Sequence, residues 1–110
     1  MTQFLVVLVT CPTQRHATRL AKTLLKSRLA ACVNIIPTVR SLFWWQGKVD
    51  QAHESLLIIK TMARQYASLR RTVRAHHPYE VPEIIGIPIT NAHRPYLAWI
   101  RDALLVSRRS

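Results

Sequence analysis

The chain has 110 residues and no stretch near the ~18 uninterrupted apolar residues that a membrane-spanning helix requires, which excludes such a span. A hydrophobic fraction of 49% is enough for one cored domain, taken as residues 1–110. Sixteen Lys and Arg against five Asp and Glu give a formal charge of +11, so nucleic acid, acidic lipid and anionic metabolites all have to be weighed as partners.

Residues 3–10 are an apolar, β-branched run that predicts a strand buried on both faces. The run has no basic region before it and no small-residue cleavage site, so it reads as strand and not as a secretory leader. The cytoplasm is therefore the expected compartment. Thr13 caps a helix in which Ala17, Leu20, Ala21, Leu24, Leu25 and Leu29 form the apolar stripe and Arg15, Arg19, Lys22 and Lys26 the basic one. Residues 31–61 predict one long hairpin, with arms Ala31–Trp45 and Lys48–Thr61 around the turn Gln46-Gly47. Pro37 marks a bulge or an edge position in the first arm.

A second helix is expected from Ala63 to His76, with Tyr66, Leu69 and Val73 inward and Arg64, Arg71 and Arg74 outward, stopped by Pro78. Residues 83–90 form the fourth strand. A third helix begins near Pro95 and carries Tyr96, Leu97, Ile100 and Leu104 on its apolar side. The order β-α-β-β-α-β-α predicts an α+β fold: a ferredoxin-like split β-α-β with an antiparallel sheet, a long β2-β3 hairpin and a C-terminal helix.

Two features of this fold call for an oligomer. The strands at 4–9, 56–59 and 84–87 are apolar on both faces, whereas the two main helices cover one. The hairpin arms are also far longer than a strand of roughly 5–6 residues and end in Phe43-Trp44-Trp45. Hairpins that pair with neighbours in a closed ring answer both, and the aromatic tip then anchors an interface. Stacking of Phe43, Trp44, Trp45 and Trp99 on bases is the other use of such residues.

The residues that carry donor chemistry are few. Cys11 and Cys32 make no metal-type or disulfide pattern, and both fit buried, inert thiols. His76 and His77 end the second helix, where imidazoles suit copper, nickel and zinc. Neighbouring helical residues point ~100° apart, so a joint site needs the unwound end that Pro78 favours. One solvated and one capping histidine is the simpler reading of the pair from the residues alone. Lys60, Glu83 and Tyr79 read as a structural set, with an ion pair between Lys60 and Glu83 ordering strand ends. No nucleophile–base pair, carboxylate dyad or Gly-rich phosphate loop is present, which speaks against an enzyme and leaves no catalytic residue to name. The basic residues, Arg70, Arg101 and Arg108 among them, are spread out, as on a solvated helical face.

Several segments resemble the CutA family in order along the chain: Val9-Thr10-Cys11-Pro12, Arg28–Ile35 (RLAACVNI), Ser41–Lys48 (SLFWWQGK), Glu54 with Ile59-Lys60-Thr61, and His76–Ile84 (HHPYEVPEI). Gln46 replaces the acidic residue usual before the turn glycine. The resemblance implies a tight homotrimer related in architecture to PII signal proteins, no established reaction, and a role in tolerance to divalent cations, copper above all. It also implies a metal site at His76 and His77 with a first-strand cysteine. Here that thiol is Cys11, two residues beyond Val9, where the family's cysteine aligns, and on the same strand face. The expected function is thus copper binding by a cytoplasmic trimer, with no specific nucleic acid and no membrane as partner. A PII-like regulator that binds an anionic small molecule in clefts between subunits is the alternative.

Overall fold

The chain folds in the order β1 (Phe4–Cys11), α1 (Gln14–Lys26), β2 (Cys32–Trp45), β3 (Lys48–Met62), α2 (Tyr66–His76), β4 (Ile84–Pro88) and α3 (Arg94–Leu104) in the computed structural model, which describes residues 3–105. Arg108 lies outside the described residues. The sheet order is β2-β3-β1-β4 with every pairing antiparallel, which is the ferredoxin-like α+β arrangement.

The first helix starts where its local chemistry directs. The Thr13 hydroxyl accepts the backbone N–H of His16 at 3.1 Å and so satisfies an otherwise unpaired donor of α1. Ala17, Leu20, Ala21 and Leu24 are buried, whereas Leu25 stays 39% exposed, since it points ~100° away from Leu24. Leu29 lies beyond the end of α1 and packs against the core from the following loop. The second helix opens with a 3-10 turn at Ala63–Gln65 before α2 begins.

The hairpin forms as its pattern predicts, within one residue at each end. Gln46 and Gly47 both have positive φ, at 51° and 79°, the backbone of a two-residue turn that matches strand twist. The ladder shifts between Ile36 and Val39, across Pro37, and the Ser55 hydroxyl donates to the Pro37 carbonyl at 2.6 Å. β4 is shorter than the expected 83–90. It ends at Pro88, which has no N–H for a ladder and is tolerated because β4 is an edge strand.

Alternation divides the sheet into two faces. Val7, Val9, Cys11, Leu57 and Ile59 pack with Ala17, Leu20, Leu24, Leu69 and Val73 under α1 and α2. Phe4 and Met62 point to the other side, where Ile100 and Leu104 of α3 cover them. Beyond α3 that second face is open, and Ile36, Ile85 and Ile87 remain 39%, 48% and 43% exposed.

Candidate metal and ligand site

The C-terminal ends of β1 and α2, the start of α1 and the middle of β3 meet at one corner, where Cys11, His16, Glu54, His76, His77 and Tyr79 gather. Pro78 disfavours helical backbone in the residue before it, so α2 ends at His76 and His77 turns out to φ −93°, ψ 136°. That turn sends the two imidazoles to different surroundings. His77 is buried and folds back on β1, donating from Nε2 to the Thr10 carbonyl at 2.7 Å. Its Nδ1 accepts the backbone N–H of Tyr79 at 3.1 Å. Both ring nitrogens are therefore engaged, and the ring pins the loop after α2 to the sheet.

His76 stays on the helix and is exposed. Its Nδ1 donates to the Thr72 carbonyl at 2.9 Å, one helical turn back. A carbonyl accepts only from N–H, so the unprotonated nitrogen of His76 is Nε2, the form in which imidazole coordinates metals.

A third imidazole, absent from the set that the sequence suggests, completes the corner. His16 donates from Nε2 to the His76 carbonyl at 2.8 Å and caps the end of α2. Its ring lies 5.5 Å from that of His77, edge to face, and its Nδ1 is buried with no hydrogen-bond partner. Sixty residues separate His16 from His76, so only the packing of α1 beside α2 joins them, and no local motif announces it.

Cys11 is fully buried at the end of β1. Burial, reinforced by the Glu54 carboxylate, pushes its thiol up to about 11, so it is protonated at neutral pH. Glu54 is itself buried and accepts the Tyr79 hydroxyl at 2.9 Å. Burial and that carboxylate push the Tyr79 hydroxyl up to about 12. The Tyr79 ring also packs 4.8 Å from that of His77. Burial lowers His77, the Thr10 hydrogen bond works the other way, and the neighbouring His16 lowers it further. Glu83 is raised by burial and by Glu54.

The Lys60–Glu83 ion pair does not form. Lys60 sits in register with Val6 and Ile87, at the opposite end of β4 from Ile84, and its ammonium donates to the Asn34 side chain. Tyr79 pairs with Glu54 instead. Among the described residues, no three of His, Cys, Asp and Glu converge closely enough to hold an ion. The donors at this corner thus do not close a coordination shell within one subunit. Among the described residues, no helix is long and apolar enough to cross a membrane.

Residues 5–103 match the family model described as CutA1 divalent ion tolerance protein. The divalent-cation tolerance protein CutA of Thermus thermophilus is 46% identical over 97 residues, covering 88% of this chain and 94% of that protein. Protein CutA 1, chloroplastic, of Oryza sativa is 43% identical over 99 residues and covers 90% of this chain, which spans only 56% of that longer relative. The solved structure of the Thermus thermophilus protein superposes with a TM-score of 0.89 at 45% identity, covering 91% of this chain and 97% of its own. The family's description names a tolerance to ions and no reaction. This chain belongs to the CutA1 divalent ion tolerance protein family.

Proposed function

We propose that this protein is a cytoplasmic homotrimer that binds divalent cations, copper foremost, as part of metal tolerance. The observation that carries the reading is His76: an exposed imidazole whose Nδ1–H is held by a backbone carbonyl, leaving Nε2 as the donor. A backbone carbonyl behind one ring nitrogen is the usual support for an imidazole metal ligand. His77 offers its Nδ1 lone pair only after giving up the Tyr79 N–H, a cost of about 1 kcal/mol. Cys11 would have to lose its proton and leave the core, so it stands last of the three. Imidazole and thiol donors suit copper better than magnesium or calcium, which take oxygen. Within a trimer, neighbouring subunits can supply the ligands that one subunit lacks. The apolar run at 4–9 belongs to β1, one of the two inner strands of the sheet.

Titration calorimetry with Cu(II) at pH 7.5, on wild type and on His76→Ala, tests the metal assignment, with mass by light scattering checked for both. The expected result is micromolar or tighter binding by wild type and at least tenfold weaker binding by His76→Ala at unchanged mass. Equal affinities would remove His76 from the site.

A further inference from the structure

The helix layer over the sheet carries cations and no carboxylate. Arg15, Arg19, Lys22 and Lys26 are exposed along α1, Arg70, Arg71 and Arg74 along α2, and Arg64 just before it. All five acidic residues lie elsewhere: Asp50 and Glu54 on β3, Glu80 and Glu83 in the loop after α2, and Asp102 on α3. The bond from His16 to the His76 carbonyl sets the start of α1 beside the end of α2, so the two helices run antiparallel. Arg15 and Arg19 thereby lie toward the Arg74 end of the layer and Lys26 toward the Arg64 end. Cations thus line both helices with no carboxylate among them, and such a concentration of like charge lowers stability unless an external anion neutralises it.

We propose that this layer is a docking face for the phosphate backbone of duplex nucleic acid, bound without regard to base sequence. Charge complementarity selects the partner. The four α1 cations span about 16 Å at 1.5 Å per residue, a length over which duplex DNA presents about ten charges at one per 1.7 Å. Six of the eight cations are arginines, whose planar fork pairs with phosphate oxygens two at a time. The cations lie in rows, and the shallow groove beside Gln14, Arg15, Thr18, Arg19 and Lys22 follows α1 without closing on a single anion. A membrane surface fits less well. Interfacial helices set Trp, Phe or Leu against a basic face, whereas here Leu25 is the lone large apolar side chain exposed on these helices. Sequence independence follows from width. Two helices side by side present a slab about 20 Å across, too broad for the ~12 Å major groove.

Fluorescence anisotropy of a labelled 20-base-pair DNA duplex, at 50 to 200 mM salt, tests the assignment to this face. Four phosphate contacts give a slope of about −3.6 in log K against log salt, or roughly 150-fold weaker binding across that range. The variant Arg15→Gln, Arg19→Gln, Lys22→Gln is expected to flatten the slope by ~2.7 and to bind at least tenfold more weakly at 50 mM salt. The variant Arg40→Gln, Lys48→Gln, Arg94→Gln removes the same charge from exposed positions outside the layer and is expected to keep the wild-type slope. Equal losses in the two variants, no binding at 50 mM salt, or capture by phosphatidylserine vesicles but not by DNA would overturn the proposal.

Discussion

Three histidines at one corner differ in what they can do because each ring nitrogen has a different neighbour. His77 is committed at both nitrogens, His76 keeps Nε2 as an unprotonated donor, and His16 keeps a buried lone pair with nothing to bond it. The pair at 76 and 77, and the break at Pro78 that parts them, were legible in the sequence. The third was not, because contact between α1 and α2 is a property of the fold. Buried titratable groups here also make stability depend on pH. The folded state holds the Cys11 thiol up to about 11, above its ordinary value of 9.0, so folded protein binds more protons than unfolded across that interval. Stability is then complete below pH 9 and falls as pH rises toward 11, by roughly 2–3 kcal/mol at most. Denaturant unfolding at pH 7, 9, 10 and 11 should show this decline. Cys11→Ala should be less stable at pH 7, from the lost packing, yet have a flatter alkaline slope. An unchanged slope would place the titration elsewhere, with Tyr79 the next group to test. His77 works at the acid end with the opposite sign. Its lowered folded pKa means that stability is complete above the ordinary 6.5 and declines as pH falls below it.

At the scale of elements, pattern and punctuation located nearly every helix and strand, because period and turn chemistry act locally. The hairpin is the clearest case: alternation, Gln46-Gly47 and the Pro37 interruption each appear in the structure as read. Errors arose where a neighbour decides the outcome. β4 stops at Pro88, which has no N–H for a ladder and is tolerated at the edge of the sheet, and Leu25 stays outside because the sheet reaches only one side of α1. Lys60 and Glu83 looked like partners while both were assigned to neighbouring strand ends, but the antiparallel register separates them along β1. The turn itself gives a test. Gln46 holds φ at 51°, which costs Gln more than it would cost Asn, whose short polar side chain tolerates that region, and Gly47 sits at 79° with open space around it. Gln46→Asn should therefore raise unfolding free energy by up to about 0.5 kcal/mol, and Gly47→Ala should lower it by about 1 kcal/mol through backbone strain alone. Urea midpoints with unchanged m-values would check both. A large loss for Gly47→Ala with altered m would mean that the turn also takes part in assembly.

For the whole molecule, the decisive feature is apolar surface that one subunit cannot cover. The subunit is drawn out to 49 × 31 × 22 Å by a hairpin whose tip exposes Leu42, Trp44, Trp45 and Val49 at 59%, 75%, 59% and 60%. Ile85 and Ile87 lie exposed on the face that α1 and α2 leave open, and Tyr96 and Trp99 stack with ring centroids 5.6 Å apart on the exposed side of α3. A soluble monomer seldom carries so many large apolar groups in the open, whereas a ring of subunits buries them between copies. The expected mass by light scattering is about three times 12.7 kDa at micromolar concentration. Two substitutions separate the contributions of tip and sheet face. Trp45→Ala removes an aromatic anchor without adding charge and should weaken assembly by ~2 kcal/mol or more, seen as a lower average mass on dilution. Ile87→Lys places an ammonium where an apolar partner face is expected and should yield monomer, because an unpaired charge is poorly tolerated inside an interface. In either monomer the hydrophobic cluster beneath α1 and α2 is intact, so far-ultraviolet circular dichroism should keep its native shape while mass falls. If wild type were a monomer at these concentrations, or if both variants kept the wild-type mass, the exposed tip and sheet face would need another occupant.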